Sequence, residues 1–85
     1  MRTIAEFAEY LVGRYAEQLG VDNHRVLLED VGAGEFEVAA ICVIEDAPVS
    51  LADIDELERL SAQFDHVDRP IAQRVIAKRR KQLAA

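Results

Sequence analysis

Residues 35–45 read EFEVAAICVIE, and the conformation of this stretch decides the fold. Acidic and apolar side chains alternate in its first half, whereas the run from Ala39 to Ile44 is apolar throughout. A period of two and β-branched side chains are typical of a strand. The preceding stretch 24–31, HRVLLEDV, is joined to it by Gly-Ala-Gly, and glycine permits the positive φ of a tight turn. We therefore predict a β-hairpin over about 24–45.

Both faces of this predicted hairpin are apolar. A three-residue loop that pairs Val31 with Glu35 directs one set of apolar side chains to the core and leaves Ile41 and Val43 on the opposite face. Two strands alone are marginally stable, so the second face is covered either by the chain's own helices or by another chain. We favour contact with another chain. Ile41 and Val43 are therefore candidate partner-binding residues, and we expect a homodimer.

Three stretches outside the hairpin carry apolar side chains at helical spacing, and each begins with a helix-start signal. Thr3 and Glu6, for example, have the spacing of a capping box. The helices are predicted over about 3–19, 51–65 and 69–83. The predicted fold is α+β: a single small domain over 1–85, ordered α-β-β-α-α, with the hairpin packed against amphipathic helices.

Charge is divided unevenly along the chain. Residues 1–68 hold all 16 acidic residues and four basic ones, a charge of −12, whereas residues 69–85 carry +6, for a net charge of −6. An acidic body repels nucleic acid and favours basic partners. The candidate contacts on the second predicted helix are Asp53, Asp55 and Glu56. Tyr10 points away from the apolar stripe of the first helix and is a further candidate, because tyrosine is enriched at binding hot spots.

The C-terminal stretch RPIAQRVIAKRRKQLAA, residues 69–85, combines an apolar stripe with a basic surface. That basic surface consists of Arg74, Lys78, Arg79, Arg80 and Lys81. The stripe predicts that the helix docks on something, and Arg79 falls inside the stripe. Three interpretations remain: docking on the chain's own acidic body, which we favour, binding of a protein partner, or binding of nucleic acid. Clustered Lys and Arg favour phosphates, but the chain has no recognised signature of DNA or RNA binding.

The predicted register places His24 opposite Cys42. Many thiol nucleophiles are activated by an adjacent histidine. We favour a structural cysteine beside a histidine at the rim, since cysteine is among the most buried residue types. His66 adds no recognisable metal-ligand spacing. We therefore expect no enzyme activity, no catalytic residue, no metal site and no cofactor.

Small size, acidic charge and the absence of catalytic motifs predict a non-enzymatic protein-binding module. It is expected to be an inhibitor, adaptor or assembly factor that acts by surface occlusion or scaffolding, on a protein partner with a basic surface. One alternative is a nucleic-acid-associated regulator that uses the C-terminal basic helix. The other is a small enzyme that uses Cys42 with His24.

The cellular setting is predicted from composition. No apolar run approaches the roughly 20 residues of a membrane span, so no membrane contact is expected. A single cysteine fits a reducing compartment, which predicts a cytoplasmic protein. The predicted layout is similar to small phage head-to-tail joining proteins, and the small acidic profile resembles phage inhibitors such as anti-CRISPR proteins. Arginine outnumbers lysine eight to two and alanine is common, a bias typical of GC-rich genomes, so a bacterial or phage source is expected.

Overall fold

The computed structural model describes all 85 residues and contains six α-helices and no β-strand. The helices are α1 (Ile4–Arg14), α2 (Ala16–Leu19), α3 (Val21–Gly32), α4 (Phe36–Asp46), α5 (Leu51–Ser61) and α6 (Asp68–Ala84). Together they make up 78% of the chain. The predicted α+β fold, with a β-hairpin over 24–45, is therefore wrong, and the chain is all-helical. The likeness in layout to phage joining proteins depended on the hairpin and is lost with it.

The second half of the predicted hairpin is α4, the central helix of the fold. It packs against α1, α3, α5 and α6. Its buried residues are Ala39, Ala40, Ile41, Val43 and Ile44. At 100° per residue these positions cover more than half of the helix circumference, so the amphipathic period disappears. A short, continuous apolar run of this kind cannot be distinguished from a buried strand by periodicity, which is why the prediction failed.

The first half of the predicted hairpin is α3, which faces the core through Leu27 and Val31. Gly34 has a φ of 80°, as a hairpin turn would require, but here it follows the end of a helix. The Gly34 amide donates to the Val31 carbonyl (3.1 Å), and the Glu35 amide donates to the Asp30 carbonyl (2.8 Å). These are the two hydrogen bonds of a Schellman motif. Glycine at this position therefore ends α3 and reverses the chain into α4.

The starts of α1 and α5 are fixed by capping boxes. The predicted box of Thr3 and Glu6 is confirmed, with side-chain to backbone hydrogen bonds of 2.9 and 3.2 Å. Ser50 and Asp53 form the corresponding pair at α5. None of the six helices combines the length and the apolar character that crossing a membrane requires.

Asp53 also ties α5 to α1 from a buried position. Its side chain is only 4% exposed and accepts hydrogen bonds from the hydroxyls of Tyr10 (3.2 Å) and Tyr15 (2.5 Å). The guanidinium of Arg2 lies 3.9 Å above the Tyr10 ring. A buried carboxylate is tolerated when its oxygens are hydrogen-bonded, as both are here. Burial, followed by the hydrogen bond to Asp53, raises the pKa of Tyr15 to about 12.

Replacement of Asp53 by alanine should lower the free energy of unfolding by about 2–3 kcal/mol, because two tyrosine hydroxyls lose their acceptor. Urea denaturation followed by circular dichroism measures this loss. The control is Glu9→Ala, an exposed position without a partner, which should change the same quantity by less than about 0.5 kcal/mol. Equal effects of the two substitutions would contradict a stabilising role for the buried carboxylate.

Stability should fall at alkaline pH because the folded state raises the pKa of Tyr15 from 10.0 to about 12. The protonated phenol is favoured by folding, so its contribution is complete below pH 10 and is lost as the pH rises towards 12. Urea denaturation at a series of pH values measures this slope, and Tyr15→Phe should flatten it. A slope that is unchanged in Tyr15→Phe would show that another group is responsible.

Candidate partner-binding surfaces

The acidic residues predicted as partner contacts on α5 are each held by the chain itself. Asp53 is buried beneath two tyrosines. Asp55 accepts a hydrogen bond from Arg80 (2.7 Å), and Glu56 accepts one from Arg2 (2.6 Å). These contacts neutralise the helix that looks most acidic in the sequence. Each of the three carboxylates therefore already has a partner within the chain.

The other predicted contacts are also covered. Ile41 and Val43 are buried in the core between helices, so they offer no surface to a partner, and their assignment is corrected. That assignment required a sheet with two faces, and the chain has none. Tyr10 is half-buried, packs against the core, and donates its hydroxyl to Asp53. Its role is to join α1 to α5.

The basic side chains of α6 form two groups, and the first group docks the helix. Arg80 donates hydrogen bonds to Glu58 (2.8 and 2.9 Å) as well as to Asp55, and this contact holds the pKa of Glu58 below its usual value. Arg79, predicted inside the apolar stripe, donates to the carbonyl of Ala47 just beyond α4 (2.9 Å). α6 is therefore fixed to α4 and α5 by its arginines as well as by its apolar stripe.

The second group of basic side chains on α6 has no partner within the chain. Arg74, Lys78 and Lys81 are exposed, and their side chains make no hydrogen bond or ion pair with the chain. Their spacing of four and three residues places them on one side of α6, away from the docked face. We call these three residues the basic stripe. Of the predicted basic surface, only the basic stripe is available to another molecule, because Arg79 and Arg80 have partners within the chain.

A second free surface is acidic, and it lies where the α3–α4 turn meets the α5–α6 turn. A pocket of about 160 Å³ is lined there by four carboxylates, two apolar side chains and a glycine. These residues, which we call the acidic pocket, are Glu35, Glu37, Asp65, Asp68, Ile4, Phe36 and Gly34. None of them is basic. Sequence reasoning did not identify this surface, because its residues come from distant parts of the chain.

The carboxylates of the acidic pocket do not share one environment. Burial raises the pKa of Glu37, and the neighbouring carboxylates of Asp68 and Asp65 raise it further, although the Asp65 amide, which donates to Glu37 (3.4 Å), acts in the opposite direction. Asp65 instead accepts hydrogen bonds from the backbone amides of Val67 (2.9 Å) and Asp68 (2.8 Å), which lower its pKa. Asp65 thus caps the start of α6 and keeps its negative charge. A cation placed here would relieve the repulsion at Glu37.

A metal ion is one cation that such a cluster could attract. Glu37, Asp65 and Asp68 can each offer one oxygen, and these oxygens lie within 4.8 Å of one another. Ca²⁺ takes six to eight oxygen ligands, whereas three carboxylates supply few of them. Exposed acidic groups commonly gather in this way without a metal. We therefore assign no metal to the acidic pocket.

The predicted pairing of His24 with Cys42 has no basis in the structure, because the sheet register that produced it does not exist. Cys42 lies half-buried on α4. Burial raises the pKa of its thiol, and the charges of Asp46, Asp30 and Glu45 raise it further. Reactive cysteines occupy electropositive surroundings, so these surroundings oppose thiolate formation. The structure thus gives no support to a Cys/His enzyme.

Cys42 should react with a disulfide reagent at neutral pH at least about ten times more slowly in the folded protein than in urea, because burial and neighbouring carboxylates suppress its thiolate. The release of the chromophoric thiol measures both rates. The variant E45Q/D46N, which removes two of the charges, should react faster than the unmodified protein. A folded protein that reacts as fast as the unfolded chain would restore Cys42 as a candidate nucleophile.

Comparison with known proteins identifies no relative: no family model, no curated protein and no solved structure matches this chain.

Proposed function

We propose that this protein is a non-enzymatic protein-binding module, and that its acidic pocket receives a lysine or arginine side chain of a basic partner. The observation that supports this proposal is the accumulation of four carboxylates without a cation in the acidic pocket. The acidic residues of α5, in contrast, are neutralised by Arg2, Arg59 and Arg80 or buried with tyrosines.

The shape and chemistry of the acidic pocket favour a single basic side chain. Its volume of about 160 Å³ lies below the roughly 300–1,000 Å³ of most small-molecule sites. Ile4 and Phe36 are partly buried and can contact the aliphatic stem of a lysine or arginine. The charged end then meets Glu37 and its acidic neighbours, and charge-assisted hydrogen bonds are the stronger kind.

A module of this kind acts through surfaces alone. It blocks the basic site of its partner, as an inhibitor does, or holds that partner beside another molecule, as an adaptor does. Complementary charge also accelerates association and rejects partners of like charge. We place this activity in the cytoplasm, where a reducing environment keeps the single thiol of Cys42 free.

Neutralising the acidic pocket should weaken binding of a basic peptide at least about tenfold, a loss of about 1.4 kcal/mol, because the peptide's cation loses its counter-charges. The variant is E37Q/D68N, and the probe is a short arginine-rich peptide titrated into ¹⁵N-labelled protein. Amide resonances of Gly34, Glu35 and Asp65 should shift with the unmodified protein and stay in place with the variant.

The matched control is E9Q/E17Q, which changes net charge equally at exposed side chains outside the acidic pocket. It should retain the binding of the unmodified protein. The same loss in both variants would show that the peptide responds only to overall charge, and the proposal would be wrong. A thermal unfolding curve of E37Q/D68N separates lost binding from misfolding, and the variant should fold because the neutral form of Glu37, whose pKa is raised, is favoured by the folded state.

A further inference from the structure

One side of the molecule, formed by α3, α4 and α6, carries charges of both signs in two adjacent groups. The acidic group is Asp30, Glu45 and Asp46, whose charges act together on Cys42. The basic group is Arg74 and Lys78 of the basic stripe, which line a groove of about 280 Å³ together with Glu45. We call this surface the bipolar face.

The charged side chains of the bipolar face have no partner in their own chain. Glu45, Asp46, Arg74 and Lys78 are exposed, and none takes part in a hydrogen bond or ion pair through its side chain. Arg80, two residues after Lys78, is by contrast bonded to two carboxylates. The fold therefore uses some charges of α6 internally and leaves those of the bipolar face unused.

Exposed apolar side chains lie on the same helices as these charges. Val26 is 49% exposed and precedes Asp30 by four residues, and Val38 is 37% exposed and precedes Cys42 by four. Residues four apart lie on the same side of a helix, so Val26 shares a side of α3 with Asp30, and Val38 shares a side of α4 with Cys42. Ile71, 36% exposed, lines the groove beside the basic group. Exposed apolar side chains close to charged ones are a composition that protein–protein interfaces commonly have.

We propose that the bipolar face binds a second copy of this chain in a two-fold symmetric dimer, in which the acidic group of each copy meets the basic group of the other. A two-fold interface uses the same surface of both copies, so that surface must be complementary to itself. Two adjacent groups of opposite sign meet this condition. A rotation of 180° about the boundary that separates the two groups places the acidic group of one copy opposite the basic group of the other.

A nucleic acid or a uniformly basic protein would pair with only one of the two charged groups of the bipolar face. A nucleic acid would neutralise Arg74 and Lys78, but its phosphates would also approach Glu45 in the same groove. A uniformly basic protein would pair with the acidic group and be repelled by the basic one. A second copy pairs both groups at once. The net charge of −6 on each copy opposes association, but physiological salt screens exposed charges beyond about 8 Å and affects pairs in contact much less.

Two charge reversals test this dimer. The variant E45K/D46K makes the groove basic on both sides and leaves Asp30 as the one acidic residue of the acidic group, and R74E/K78E makes the bipolar face acidic throughout. Each variant alone should bind its own copies at least about tenfold more weakly than the unmodified protein does, since like charges then meet twice in every dimer. An equimolar mixture of the two variants should associate again, because each reversal supplies the charges that the other requires. Sedimentation velocity over a range of concentrations measures all three samples.

The control is E9K/E17K, which shifts the net charge as E45K/D46K does but changes exposed side chains of α1 and α2. It should dimerise as the unmodified protein does. Thermal unfolding curves establish that every variant is folded, which is expected because none of the exchanged side chains has an internal partner. The dimer is overturned if the unmodified protein stays monomeric, if either reversal leaves association unchanged, or if the mixture does not associate. A monomer that binds single-stranded DNA through Arg74 and Lys78 would instead identify a nucleic-acid surface.

Discussion

The burial of α4 is the constraint on which the rest of the structure depends. Its apolar residues cover more than half of its circumference, so no arrangement of two helices could shield it, and α1, α3, α5 and α6 all pack around it. Ala39 and Ala40 are wholly buried and leave room for neighbouring helices to approach. A chain of 85 residues buries a small core, and removing one of these neighbours would expose α4 to water.

The same constraint explains which elements could be predicted from the sequence. α1 and α5 each bury one face, so their periodicity is visible, and the polar pair at each start, such as Thr3 with Glu6, marks the first turn. α4 is surrounded, and its pattern carries no period that separates a helix from a strand. Gly34 was equally ambiguous, since a hairpin turn and a helix C-terminus both use glycine at positive φ. Tertiary packing, which local patterns do not contain, decided between them.

Charge in the sequence was likewise a poor guide to charge at the surface. The sequence predicts a binding face from the acidic residues of α5. In the folded chain, α6 and the N-terminal segment bring Arg80 and Arg2 into hydrogen bonds with these residues. The acidic pocket could not be predicted from the sequence, because it forms only where the turn before α4 meets the turn before α6. Glu37, for example, is 28 residues from the Asp65 amide that it contacts. What remains unpaired after folding therefore says more about partners than the composition does.

The acidic pocket and the bipolar face use opposite ends of α4. Glu37 and Glu45 are eight residues apart, a rise of about 12 Å along the helix, so the charged groups of the two surfaces are separated along α4. The proposed two-fold dimer carries two acidic pockets. A partner with two basic side chains at matching separation then binds the second pocket intramolecularly, at an effective concentration that reaches the millimolar range for short flexible connections. Weak recognition of a single lysine or arginine becomes selective for such a partner. For the proposed function, this gain favours scaffolding over simple occlusion, because occlusion of one basic site gains nothing from the second pocket.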